Sequence, residues 1–418
     1  MSATNLAIDL NKFIYSVSLA LDMAERSIFT DKQKRIRFNV PIHGFDATYH
    51  NYIGHSMKTA LVAGYIASKL DPGTVNMQNL YIASYLHDIG AVHAFNISHY
   101  DSDFIKEHCD LGAVTIGSMH FDLELSHLVK YHHENYDGTG PYHLKGSEIP
   151  VSAGIIHLAD YFDLMFKQDL PYRLQKDNIL RIIRLERGGL FSPDAVDALL
   201  DAANSECFWL DIENVYSYPE IMEEIQPLRH SSYSLVNIRD IAGVFASIID
   251  KKSKFTLEHS KGLAALAAKL SNYYGFDSEK TTMMEIAALL HDLGKLSVPN
   301  YILDKPGKLT SDEFAIIKSH TYYTRLILNK ITGMKDIASW ASNHHETLTG
   351  SGYPQNLDAD DLCVESRIIA VCDIYQALTE DRPYRNRMSK LSAFGIMDSM
   401  VKAGEIDGQI VKALKDIV

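Results

Sequence analysis

The feature that most limits how this chain can fold is a set of histidine and aspartate intervals that occurs twice. His55 to His87 spans 32 residues, as does His259 to His291. His108 to His132 and His320 to His344 are both 24 residues apart. His132 to Asp160 is 28, against 29 for His344 to Asp373. Only the middle interval differs, 21 from His87 to His108 against 29 from His291 to His320. The surrounding text repeats as well. "YIGHSMKTALVAGYIASKL" (52–70) echoes "TLEHSKGLAALAAKL" (256–270), and "YHHENYDGTGPYHL" (131–144) echoes "NHHETLTGSGYPQNL" (343–357). The chain is a tandem duplication, and each copy must fold around the same chemistry.

Both copies read as helical. "TTMMEIAALLHDLG" carries an apolar stripe at helical spacing that stops at Gly294, and "ESRIIAVCDIYQALTED" is a second amphipathic run. "SDEFAIIKSHTYYTRLILNKI" offers Ser311 as an N-cap, with acids in the first turn. "PNYILDKPGKLT" and "TGSGYPQNLDAD" carry the Pro and Gly of loops. No alternating strand pattern stands out. Segments 188–203 and 403–418 give the copies similar helical endings. The expectation is an all-α protein with two helical domains, 1–225 and 226–418, a linker within 225–240, and an intramolecular face shared between the two.

A formal charge of −13 argues against duplex nucleic acid as a partner, because duplex binding needs a basic surface. A small phosphorylated ligand on a local cationic site is compatible with it. No apolar run approaches the roughly 18 residues of a membrane span. The start, "MSATNLAIDLNKF", lacks the basic and apolar regions of a signal peptide. Cys109, Cys207, Cys363 and Cys372 form no CxxC pair, which suits a reduced, cytoplasmic chain.

The second copy gathers His259, His291, Asp292, His320, His344, His345 and Asp373 on largely apolar segments. A lone histidine on an apolar face is usually a satisfied core residue. Seven such groups, recurring twice, are not explained that way, because each costs several kcal/mol to bury unpaired. Metal binding returns that energy. Imidazole and carboxylate without thiolate suit iron, manganese, zinc or nickel. Seven ligands are too many for one open ion and comfortable for two, and the two oxygens of Asp292 can bridge. Such a pair of ions suits in-line displacement at phosphorus.

The second copy resembles the HD-GYP phosphodiesterases of the HD superfamily. The matching pieces are "HDLGK" (291–295), "KPGKLT" (305–310), "HHE" (344–346), "GSGYP" (350–354), "CD" (372–373) and "DRPYR" (381–385). The resemblance is close over about 240–418 and looser over 10–225. It implies hydrolysis of a cyclic dinucleotide, cyclic di-GMP or cyclic GMP-AMP, to a linear dinucleotide or mononucleotides. By position it also implies His259, His291 and Asp373 on one ion, His320, His344 and His345 on another, and Asp292 between them. The ions expected are iron or manganese, with nickel or zinc as alternatives. Lys295, one helical turn past His291, is expected to stabilise charge on the phosphoryl oxygens; the bland alternative is a solvated helix-end lysine. Arg382 and Arg385 resemble phosphate clamps, and Tyr353 is placed to meet a base, or merely to pack a turn. Some members hold a third ion through a glutamate four residues before the first histidine. Phe255 stands there, so two ions are expected. Thr349 in place of an acid is a milder departure.

The first copy keeps every ligand type in His55, His87, Asp88, His108, His132, His133 and Asp160. It loses the groups that neutralise a phosphate. Ala91 replaces the lysine, "GYP" becomes "GPY" (140–142), and "DRPYR" becomes "DLPYR" (169–173), with Leu170 for the first arginine. Eight residues are missing before His108, the difference of 29 and 21. A degenerate regulatory copy that holds metal and catalyses poorly is the expectation. Two other readings are a cyclic-dinucleotide receptor without turnover and a mixed-valent di-iron oxygenase. Lys295, Arg382 and Arg385 weigh against the first, and the two arginines against the second.

Overall fold

Apolar stripes at helical spacing become helices throughout a computed structural model of the chain. It describes residues 7–29, 54–93, 102–214, 218–225, 232–252, 259–380 and 387–418. Two compact units result: Leu21–His230, and Ser231–Val418 together with Met1–Ala20.

In the first unit the central helices are His55–Ala67, Met77–Leu86, Ser102–Gly117, Leu123–Tyr131 and Val151–Met165. Val151–Met165 is apolar nearly all round, and Ile155, Ile156, Leu158, Ala159 and Phe162 are fully buried. A helix of that composition has to run through the core. The second unit repeats the plan with His259–Tyr273, Ser278–Leu290, Ser311–Leu328, Lys335–Ser342 and Val364–Thr379. Pro193–Ala202 and Gly408–Ile417 are the matching late helices, after which the first unit continues through Glu206–Glu213 and Tyr218–Ile225.

The all-α expectation holds, with one small addition. Strand β1 (Ala7–Asp9) pairs antiparallel with β2 (Ser232–Ser234), Ile8 opposite Tyr233. Three residues are too few for an alternating pattern to be read. β1 runs into the helix Leu10–Phe29, and β2 into Leu235–Lys252, inside the stretch expected to be linker. The first twenty residues therefore belong with the second unit, where the division at 225/226 would assign them to the first. Phe13 is fully buried there, edge-on to Phe245 at 6.5 Å.

Two local readings also shift. The N-cap of Ser311–Leu328 is Thr310, not Ser311. Thr310 Oγ1 accepts from Glu313 N (3.2 Å) and Glu313 Oε2 accepts from Thr310 N (2.7 Å), a reciprocal box that Ser311 is one residue too late to make. The stretch "PNYILDKPGKLT" contains one helical turn, Asn300–Leu303, started by Pro299.

Phe13→Ala should cost about 3–5 kcal/mol, the usual range for deleting a buried aromatic. Chemical denaturation should show that loss in the unit containing Phe245, although Phe13 lies more than two hundred positions away in sequence.

Candidate metal centre

The site of the second unit is built where helices end or cross. His291 is the C-cap of Ser278–Leu290, and its Nδ1 donates to Ala288 O at 2.7 Å. Carbonyls at a helix end lack partners, so an imidazole N–H there is stabilising. His344 does the same one residue past Lys335–Ser342 and its cap, donating to Ala341 O at 2.7 Å. His320 donates to Ile317 O at 2.7 Å. These bonds put the proton on Nδ1 and turn each Nε2 lone pair inward.

The inward atoms converge on Asp292. Its Oδ2 is 3.1 Å from His291 Nε2, and its Oδ1 is 3.4 Å from His320 Nε2 and 3.9 Å from His344 Nε2. His320 and His344 face each other Nε2 to Nε2 at 3.2 Å. Asp373 Oδ1 lies 3.1 Å from His259 Nε2 and 3.9 Å from His291 Nε2. Ligand atoms of His259, His291 and Asp373 form one group within 4.8 Å, those of His320, His344 and His345 another, and those of His291, Asp292 and His344 a third. All seven expected ligands are thus brought together.

Three of the histidines are held in the uncharged form that a metal requires. Burial pushes His320 down to about 3, and burial with neighbouring histidines holds His344 well below its usual range and lowers His345. Burial disfavours charge on His259 as well, yet hydrogen bonds with Asp373 and Glu380 push it up to about 10. Burial alone would raise Asp292; its interactions with His291 and Lys295 outweigh it and hold the carboxyl well below the usual range. Asp373 is lowered in the same way, chiefly by its bond to His259. Neutral imidazoles with opposed lone pairs repel one another, and Asp292 Oδ1 is buried with no hydrogen-bond partner. A cation between them removes both penalties, so the residues fit a metal.

Lys295 reaches the same carboxylate: its Nζ pairs with Asp292 Oδ2, with the lysine side chain 28% exposed. It does so from a 3-10 turn, Leu293–Ser297, rather than from a continuing α-helix, because Ser278–Leu290 ends at His291. Gly294 makes that turn fit. A Cβ there would stand 1.9 Å from His320 O. Tyr353 is packed at 4.9 Å (centroids) on His345 and edge-on to Phe314 at 6.2 Å. Arg382, Arg385 and Phe255 lie outside the described residues.

Several supporting residues were not read from the sequence. Glu380 accepts from His259 Nδ1 at 3.0 Å, the carboxylate–histidine pairing that orients metal ligands. Its place two helical turns after Asp373 was the available clue. Asp250 fixes the start of the first ligand helix, accepting Ser260 Oγ at 2.8 Å and Ser260 N at 3.1 Å. Asp22 does likewise for Ser56, at 2.6 and 3.2 Å. The serine after the first histidine of each copy was the visible half of this pair. Glu346, the acid of "HHE", holds the loop instead, accepting from Gln355 N (2.7 Å) and Leu357 N (3.1 Å).

The first unit assembles its seven ligands the same way. Asp88 Oδ2 faces His55 (3.3 Å) and His87 (3.2 Å), while Oδ1 faces His108 (3.3 Å) and His132 (3.9 Å). Asp88, His108, His132 and His133 form one group, and His55, His87 and Asp160 another. His133 Nε2 is buried without a hydrogen-bond partner. The surroundings differ. His55 Nδ1 donates to Asp163 Oδ2 at 2.7 Å, and Asp163 also pairs with the buried Lys58.

A helical bundle that lays paired histidines around a shared aspartate defines the class of HD-type metal-dependent proteins. The chain belongs to the HD domain family, whose pattern matches residues 42–194 and 243–410, and its repeated ligand sets make it a tandem HD-GYP protein. It is 30% identical to 3'3'-cGAMP-specific phosphodiesterase 1 of Vibrio cholerae over 86% of this chain and 85% of that protein. It is 31% identical to a cyclic di-GMP phosphodiesterase of Pseudomonas aeruginosa over 46% of this chain and 45% of that one. Its fold is similar to the crystal structure of a cyclic GMP-AMP specific phosphodiesterase of V. cholerae, with a TM-score of 0.65 over 98% of both chains at 23% identity. Among the described residues no helix is long and apolar enough to cross a membrane.

Glu380→Gln should keep the fold and lower metal affinity about 10- to 100-fold, as loss of a ligand's orienting carboxylate does. Metal analysis after dialysis against graded chelator checks this. Asp292→Ala should lose metal and activity together; retention of full metal content would remove the bridging role.

Proposed function

We propose that the second copy hydrolyses a cyclic dinucleotide and that the first, degenerate copy regulates it. The observation that carries this reading is Asp292. His291 meets its Oδ2, the imidazoles of His320 and His344 face its Oδ1, and an ammonium reaches the same carboxylate. His259, His291 and Asp373 would hold one divalent ion and His320, His344 and His345 a second, with Asp292 shared. Iron or manganese suits this donor set best. When bound, such ions polarise a phosphodiester and neutralise its charge.

The chain's own residues do the rest. Lys295, partly exposed at the rim, carries the positive charge that stabilises growing negative charge on a phosphoryl oxygen. Glu380 keeps the His259 ring oriented, and Gly294 lets the Lys295 turn approach the His320 helix. Tyr353, packed against His345 at a tilt, offers a face to a base next to the scissile phosphate. Arg382 and Arg385 are proposed to grip the substrate's phosphates. The favoured substrate is 3'3'-cyclic GMP-AMP, named for the relative matched along most of its length, with cyclic di-GMP as the second reading.

The test is product analysis with both cyclic dinucleotides on protein of measured metal content. Linear dinucleotide or mononucleotide should appear from one of them; conversion of neither sinks the reading. Lys295→Ala should leave metal occupancy intact and lower kcat by roughly 10²-fold, whereas an unchanged kcat would return Lys295 to a solvated lysine.

The first copy lacks that charge, with Ala91 at the lysine position. Asp88→Ala should therefore remove metal from the first site and change, without abolishing, hydrolysis at the second. Unaltered kcat and KM at equal second-site metal would end the regulatory assignment.

A further inference from the structure

Away from the ligands, the two copies part at Gly154 and Arg367. Each lies six residues before the aspartate ligand of its helix, Asp160 or Asp373. The register is confirmed by a backbone bond found at the same place in both, Tyr136 N to Leu190 O and Leu348 N to Glu405 O, each 3.0 Å. In the second copy the Arg367 guanidinium fills the space beside this bond. Nε donates to Leu362 O (2.9 Å), Nη2 to Ala359 O (2.6 Å) and Nη1 to Asp407 Oδ2 (3.0 Å). Only about 10 Å³ of the pocket there is left.

The first copy has no such side chain. A Cβ on Gly154 would meet nothing within 4 Å, and a cavity of about 680 Å³ opens at the equivalent place. Gly146 and Ile149, the counterparts of Ala359 and Leu362, line it. So do Asp71, Asp194, Asp197 and Asp201, with Lys69 as the lining cation. Lys69 is spent on Asp201 (3.2 Å), and Asp197 is held by Arg187 at 2.6 Å. Among the described residues, Asp71 and Asp194 have no salt bridge. Two helix starts also border the cavity, at Val151 and Pro193, each worth roughly half a positive charge. They do not offset the two aspartates, and the second copy seats a guanidinium beside the same two helix starts, on Asp407, the N-cap whose counterpart in the first copy is Ser192.

We propose that this cavity binds a small organic cation carrying a guanidinium or primary ammonium group, in the place that Arg367 fills in the second copy. The volume lies in the range of small-molecule sites. Leu70, Val151 and Leu190 supply an apolar wall for the ligand's carbon chain. The site is independent of the phosphodiesterase reading, since it uses none of the metal ligands.

Titration calorimetry of agmatine into the metal-loaded full chain tests this. Saturable one-to-one binding is expected. It should weaken at least tenfold in an Asp71→Asn, Asp194→Asn double variant and vanish in Gly154→Arg, which supplies the guanidinium from the chain itself. Should Gly154→Arg fail to fold, the double variant decides alone. Absence of saturable binding, or binding unchanged by these substitutions, overturns the proposal.

Discussion

The imidazole-to-carbonyl bond made three residues back along the chain is the interaction on which the site depends. It recurs at His87, His132, His291, His320 and His344, with distances of 2.6–2.9 Å. Each bond satisfies a helical carbonyl, fixes the tautomer and aims a lone pair inward. The helices can then pack only with those lone pairs pointing at one another and at a buried carboxylate. Apolar burial supplies the drive to bring them together, and a cation removes the repulsion that results. Folding and metal affinity are coupled through the same bonds.

Duplication kept this inner arrangement and changed what surrounds it. In the second copy His259 leans on Glu380, and Gly262 packs where a Cβ would collide with Gln376 Nε2 at 2.2 Å. In the first, the corresponding positions carry Lys58 and Asp163, a buried ion pair attached to His55. A fully buried pair of that kind has little net value for stability, but it holds geometry once formed. Lys295 is replaced by Ala91 and Arg367 by Gly154. The first copy thus carries an added ion pair beside His55 and lacks the ammonium that Lys295 sets against Asp292 in the second.

Much of the site was legible because the chemistry is periodic. Histidines and aspartates at repeated intervals mark the groups that the fold brings together, and no packing detail is needed to see them. Glu380 was not visible, because its partner in the first copy is Asp163, one turn after the ligand aspartate rather than two. Comparison of the copies hides a residue that moved. Asp22 and Asp250 were hidden for another reason: they lie 34 and 10 residues before their serine partners, so no shared interval marks them. Glu346 shows the opposite case, a motif residue whose two oxygens are taken by loop amides.

The assignment of the first twenty residues was illegible on physical grounds. A three-residue strand has no period to detect, and its stability comes from a partner far away in sequence. What joins β1 to the second unit is Ile8 in the ladder and Phe13 on Phe245, contacts that local propensity cannot encode. The helix Leu10–Phe29 consequently serves both units: its first half lies in the second unit, while Asp22, in its second half, holds Ser56 in the first. The first copy therefore cannot be removed at a simple cut without also disturbing the core of its twin.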